Sequence, residues 1–157
     1  MNTLLHALLV LFLCLAESLA LFAQKADKSF AKGLALLNSG EYAGALDHFQ
    51  KAEKDGYAGK ALLSYTIGKT YLFADDRKNA VSYFLQALEL GTDSATEACF
   101  GISTAYFRMH SYSEAVEYCL KTLAAQPGYA PAYWRLNVIY SIMGDADKAK
   151  EIIRSCA

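Results

Sequence analysis

An all-α solenoid of about four stacked two-helix units is the fold class predicted here, on three observations. A block containing Gly40-Glu41-Tyr42, Ala45, Phe49 and Ala52 returns twice at a spacing of 35 residues and once more at 34. Ala45, Ala80, Ala115 and Ala149 coincide in that register, and Phe49, Phe84, Cys119 and Ile153 follow four residues later, on the same helical face. Upstream, Gly33, Gly68, Ser103 and Asn137 are followed three residues on by Leu36, Tyr71, Tyr106 and Tyr140. Small residues opposite alanines let two helices touch, so each block reads as a hairpin that needs its neighbours to cover the rest of its apolar surface.

Local signals place the elements in order. The first hairpin spans 27–39 and 43–54, with Gly40 turning the chain and Gly56 capping the end. The second spans about 60–74 and 78–90 and stops at Gly91. Ser94-Ala95-Thr96-Glu97 and Ser111-Tyr112-Ser113-Glu114 both have capping-box spacing, which predicts that they open the two helices of the third hairpin. Pro127-Gly128 ends that hairpin. Pro131 falls in the first turn of the next helix, where a missing amide hydrogen breaks no internal bond. The last pair is about 131–143 and 146–155, with Asp145 capping its second helix.

The repeat resembles the tetratricopeptide repeat, a helix-turn-helix unit of about 34 residues. The resemblance covers roughly 26–157, in units of about 26–59, 61–94, 96–129 and 130–157. The second unit carries it best, with Ile67-Gly68-x-x-Tyr71, Ala80, Phe84 and Ala87, followed by the third with Tyr106, Ala115 and Pro127. Departures are Leu36 for the aromatic of the first unit, and Tyr57 and Thr92 in place of the terminal proline of the first two units.

The resemblance implies a non-enzymatic scaffold that holds a peptide or protein segment on the concave side. Carried over slot by slot, that groove is lined by Phe30, Leu34 and Leu37, by Tyr65, Lys69, Leu72 and Phe73, by Phe100, Thr104, Phe107 and Arg108, and by Trp134 and Val138. Phe30, Tyr65, Phe100 and Trp134 share one slot, as ligand anchors or as packing between neighbouring first helices. Contact with a ligand is expected mainly at Phe73, Phe107 and Trp134. Lys69 and Arg108 are cations able to meet a carboxylate, or ordinary surface charges. The Lys and Asn residues with which some family members clamp a chaperone's acidic C-terminus are missing, the matching slots holding Tyr65, Thr104 and Trp134. A second reading is structural: the final helix keeps Ile152, Ile153 and Cys156 near its end, where arrays normally turn polar. That end would stack on a second copy or on an envelope complex.

Residues 1–23 differ from the rest. The run 4–16 is apolar except for His6, then come Glu17, Ser18 and small residues. This length suits a secretory leader cleaved after Ala20 or Ala23, and hence an exported, periplasmic or extracellular domain. The alternative is an uncleaved membrane anchor over 4–23. No Lys or Arg precedes the run.

With 15 Lys and Arg against 16 Asp and Glu and no polybasic tract, nucleic acid is not an expected partner. Cys99 and Cys119 come opposite each other in the third hairpin and would form a disulfide in an oxidising compartment or remain as small buried hydrophobes. His48 and His110 are isolated, and no set of residues has the spacing of a metal site. Asp75-Asp76 and Asp145-x-Asp147 read as helix caps. No nucleophile elbow, phosphate loop or dinucleotide fingerprint occurs, so no catalytic residue, metal or cofactor is expected.

Overall fold

The computed structural model describes residues 2–155. Among them are eight helices and no strand: α1 (Asn2–Asn38), α2 (Tyr42–Lys54), α3 (Lys60–Phe73), α4 (Arg77–Glu89), α5 (Ala95–Arg108), α6 (Tyr112–Ala125), α7 (Ala130–Ile142) and α8 (Ala146–Ser155). The chain divides into two compact units, 1–63 and 64–157, with the boundary inside α3.

In the first unit α1 packs on α2. Ala45, Phe49 and Ala52 form the buried face of α2, and Ala26, Phe30 and Leu37 that of α1. Phe49 lies so close to Gly33 that a Cβ there would sit 2.5 Å from the ring, and this is why the slot holds glycine. The turn passes through Gly40 at φ 82°, a left-handed conformation that glycine adopts without steric cost.

In the second unit α4 packs on α5, α5 on α6, α6 on α7 and α7 on α8. Ala80, Val81 and Phe84 of α4 meet Ala98, Ile102 and Ala105 of α5 in one core cluster. Cys119 of α6 meets Ala132 and Leu136 of α7 in another. Phe84 repeats the arrangement of Phe49: a Cβ on Gly68 would lie 3.0 Å from its ring, and one on Gly101 only 2.6 Å. The third hairpin solves the same crossing differently, because Ser103 replaces the glycine and Cys119 the phenylalanine. The Ser103 hydroxyl and the Cys119 thiol are 2.9 Å apart and fully buried. In the fourth hairpin the Asn137 amide donates to the Ala149 carbonyl at 3.1 Å. Ile153, the fourth member of the larger-residue series, has its side chain outside the described residues, as has Cys156.

Three details depart from the sequence expectations. The first helix begins at Asn2, so the N-terminal run and the first repeat helix are continuous, with no glycine or proline before Gly33 to interrupt them. Its large apolar residues from Leu9 to Phe22 are 52–69% exposed. Ser94 and Ser111 occupy the N-cap positions of α5 and α6, yet neither side chain caps; the backbone amide of Ser94 donates instead to the Thr92 hydroxyl at 3.2 Å. Asp76 and Asp145 do cap α4 and α8, accepting from the amides of Asn79 at 3.2 Å and Lys148 at 3.1 Å. Asp75 and His110, both at φ 62°, make the left-handed turn that Gly40 and Gly144 make in the first and last hairpins.

Candidate protein-binding surface

The predicted groove residues separate by burial. Phe30 and Leu37 are core, 7% and 8% exposed, and Leu34 is half-buried. Phe30 stacks on Tyr57 with ring centroids 4.4 Å apart and touches Phe49 at 5.6 Å. Here the packing alternative holds: Tyr57, standing where the family pattern has proline, supplies the ring that closes over Phe30. Tyr65 is half-buried against Phe84 at 5.8 Å, and burial raises its phenol above the ordinary value. Phe100 is half-buried, edge-on to Tyr129 at 5.2 Å. The Thr104 hydroxyl is spent on the Phe100 carbonyl one turn back, at 2.8 Å.

A more open set remains on α3, α5 and α7 in the second unit. Phe73 is 51% exposed, with the Lys69 ammonium over its ring at 5.9 Å. Arg108 reaches across from α5, donating to the Leu72 carbonyl at 3.1 Å and pairing with Asp75 at 3.6 Å. Arg77 binds the same Asp75 carboxylate. Phe107 is half-buried, and Trp134 and Val138 lie on α7, Trp134 at 65% exposure.

Sequence reasoning missed Arg135. Its guanidinium lies over the Phe100 ring at 4.7 Å and over Phe107 at 5.3 Å, a double cation–π clamp between α7 and α5. Its Nε is buried without a hydrogen-bond partner in the protein. Burial holds this guanidinium below its usual pKa, and the positive charge of Arg108 nearby pushes the same way. The signal that could have found it was the spacing of Phe100 and Phe107: seven residues, two helical turns, place both rings on one side of α5. Arg135 and Arg108 thus bring two positive charges to one apolar wall.

Cys99 and Cys119 are both free. Cys119 is buried with its thiol facing Ser103, and Cys99 is half-buried. Burial raises both thiols above their ordinary pKa. Among the described residues no group of three His, Cys, Asp or Glu side chains is placed to hold a metal ion.

The tetratricopeptide-repeat profile matches residues 65–130 and again residues 130–157, together more than half of the chain. The chain belongs to the tetratricopeptide-repeat family. Repeats of this family generally form non-enzymatic protein-interaction folds. Solved structures share the fold of this tetratricopeptide-repeat chain. MamA is similar with a TM-score of 0.77 at 21% identity, over 83% of this chain and 75% of that one. YrrB, described as a TPR protein with an unusual peptide-binding site, gives 0.72 at 24% identity over 96% and 80%. The first TPR domain of Spaghetti (RPAP3), bound to the HSP90 peptide SRMEEVD, gives 0.69 at 24% over 78% and 95%. No curated protein matches the chain significantly.

Proposed function

We propose that this tetratricopeptide-repeat chain is a protein-interaction scaffold and that its second unit holds an extended segment of a partner along α3, α5 and α7. The carrying observation is Arg135, a half-buried cation whose Nε is buried without a hydrogen-bond partner, set between rings and beside Arg108. A partly desolvated cation without a counter-charge favours an anion, and a ligand carboxylate supplies one while its apolar side chains cover Phe73 and Phe107. The YrrB and RPAP3 structures, both described with peptide sites or peptides, support this mode of action.

Peptide display against the folded chain tests it. Selection yields segments that pair an acidic residue with apolar ones, and binding falls at least tenfold in Arg135→Gln and in Phe73→Ala/Phe107→Ala. Peptides that bind these variants as well as they bind the parent place the working surface elsewhere.

We infer further that residues 4–23 serve as a secretory signal, with membrane anchoring as the alternative. The support is the helix Leu9–Asn38, long and apolar enough to cross a membrane by length and composition and almost entirely unburied over its apolar window. N-terminal sequencing of the chain recovered from cells reads the outcome: a new N-terminus at Gln24 or Leu21 marks cleavage, and an intact N-terminus in the membrane fraction marks an anchor.

A further inference from the structure

The turn position that Gly40, His110 and Gly144 fill in the other hairpins is held by Asp75 in the second, at φ 62°. Glycine takes this left-handed conformation without steric cost, whereas aspartate gives up some backbone ease to place a carboxylate there. Arg77 grips that carboxylate side-on, through Nε at 3.0 Å and through Nη2. With both oxygens engaged, the carboxylate has a fixed position 3.6 Å from Nη1 of Arg108. Arg108 does not depend on it for its own placement. The same Nη1 donates to the Leu72 carbonyl at 3.1 Å, in the last turn of α3, where the Asp75 amide reaches that oxygen only at 3.4 Å.

We propose that Asp75 is a specificity-determining residue of the scaffold: a built-in carboxylate that occupies Arg108, admitting partner segments with one acidic residue, met by Arg135, and turning away segments with a second acid beside Arg108. This rests on the ligand reading given above. The two guanidiniums differ in what they already have. Arg135 lies against Phe100 and Phe107 with a buried Nε that has no hydrogen-bond partner, while Arg108 has Asp75. Arg108 is close enough to act on Arg135 through its charge, so a segment seated at Arg135 brings its neighbouring residues within the influence of Arg108 and Asp75. A second ligand acid arriving there must displace Asp75 or stand beside it, and two carboxylates at one arginine repel each other. The side chains of Arg108 and Asp75 are 44% and 57% exposed. Water screens such a pair, so the discrimination is roughly two- to fivefold. Removing Asp75 frees the charge of Arg108 and leaves its position to the Leu72 carbonyl.

Fluorescence anisotropy with the full chain tests the assignment. The probes are a display-selected peptide carrying one acidic residue and a set of twins in which one neutral residue at a time becomes Glu. The parent binds no twin more tightly than the single-acid peptide. Asp75→Asn tolerates the left-handed turn and Asp75→Gly relieves it. Both shift the affinity ratio toward one twin by roughly two- to fivefold at low salt, and Arg108→Gln in either background cancels the shift. A parent that prefers a twin overturns the proposal, as does a ratio left unchanged by both variants or a shift that persists without Arg108. A shift in Asp75→Gly alone traces to the backbone and overturns it equally. In each of these cases the ligand reading stands if Arg135→Gln still weakens the single-acid peptide at least tenfold. Binding that Arg135→Gln leaves unaltered, or a display that yields no binder, overturns both.

Discussion

Phe84 is the residue through which the packing is best tested. It is 2% exposed and its ring lies between two glycines: a Cβ on Gly101 would come 2.6 Å from Cε2 and Cζ, and one on Gly68 3.0 Å from Cδ1. Phe84→Ala removes a benzyl group from a site where neither glycine carries a side chain to fall into the void. The loss belongs in the upper half of the range of about 3–5 kcal/mol for such truncations. Gly101→Ala alone sets two effects against each other. A mid-helix alanine is favoured over glycine by roughly 0.5–1 kcal/mol, but the methyl group enters the ring, and overpacking of this kind costs about 1–3 kcal/mol. The net result is destabilising. In the Phe84→Ala background the methyl group enters empty space, so the same substitution stabilises, and the coupling between the two sites exceeds about 1 kcal/mol. Urea unfolding followed by circular dichroism measures all four corners of the cycle. An equal effect of Gly101→Ala in both backgrounds, or a loss below about 1.5 kcal/mol for Phe84→Ala, refutes the ring-between-glycines reasoning.

Other perturbations follow from the same geometry. Ala80→Leu, at a fully buried helix crossing, overpacks it and lowers stability by about 1–3 kcal/mol in a denaturant melt. His110→Gly relieves a left-handed backbone at φ 62° and raises the thermal midpoint, by the equivalent of up to about 1 kcal/mol, because the lost His110–Tyr112 hydrogen bond lies in solvent. Tyr65, Tyr106, Tyr129 and Cys119 all have folded pKa values raised chiefly by burial, from 10.0 for the tyrosines and 9.0 for the thiol. The stability they lend is intact below about pH 9 and is lost as pH rises through their folded values, so the urea midpoint drops between about pH 9 and 11; an unchanged midpoint at pH 11 contradicts this. Thiol titration of the unreduced chain finds Cys99 and Cys119 both reactive once unfolded, while Cys119 stays inert in the folded protein. A shortfall of two thiols on unfolding would reveal a Cys99–Cys119 bridge.

The repeat register was legible in the first three hairpins, because Ala45, Ala80 and Ala115 with Phe49, Phe84 and Cys119 recur at helical spacing and all of them are buried. Turns at Gly40, Gly56 and Gly91 were legible for a related reason: φ values of 74–83° suit glycine far better than other residues. The shared aromatic slot was not. Periodicity identifies an apolar face but not whether a neighbouring residue covers it, so Phe30 and Trp134 look equivalent in sequence while Phe30 is 7% exposed beneath Tyr57 and Trp134 is 65% exposed. Arg135 escaped notice because a single cation beside Trp134 reads as surface charge, and only the placement of Phe100 and Phe107 on α5 encloses it. The capping boxes failed locally: Ser94 and Ser111 start helices by position while their hydroxyls leave the backbone uncapped.

The exchange of ring and glycine for thiol and hydroxyl in the third hairpin has a mechanical consequence. In the first two hairpins a flat six-carbon plate keeps the two rods apart by contact alone, but between α5 and α6 one short polar bridge, 2.9 Å long and sealed from water, does that work. Less carbon spans this gap than the matching gaps of the first two hairpins. It is also the seam that chemistry can alter, since adding a single oxygen to that sulfur would wedge apart a joint that no oxidant could disturb in its phenylalanine-filled neighbours.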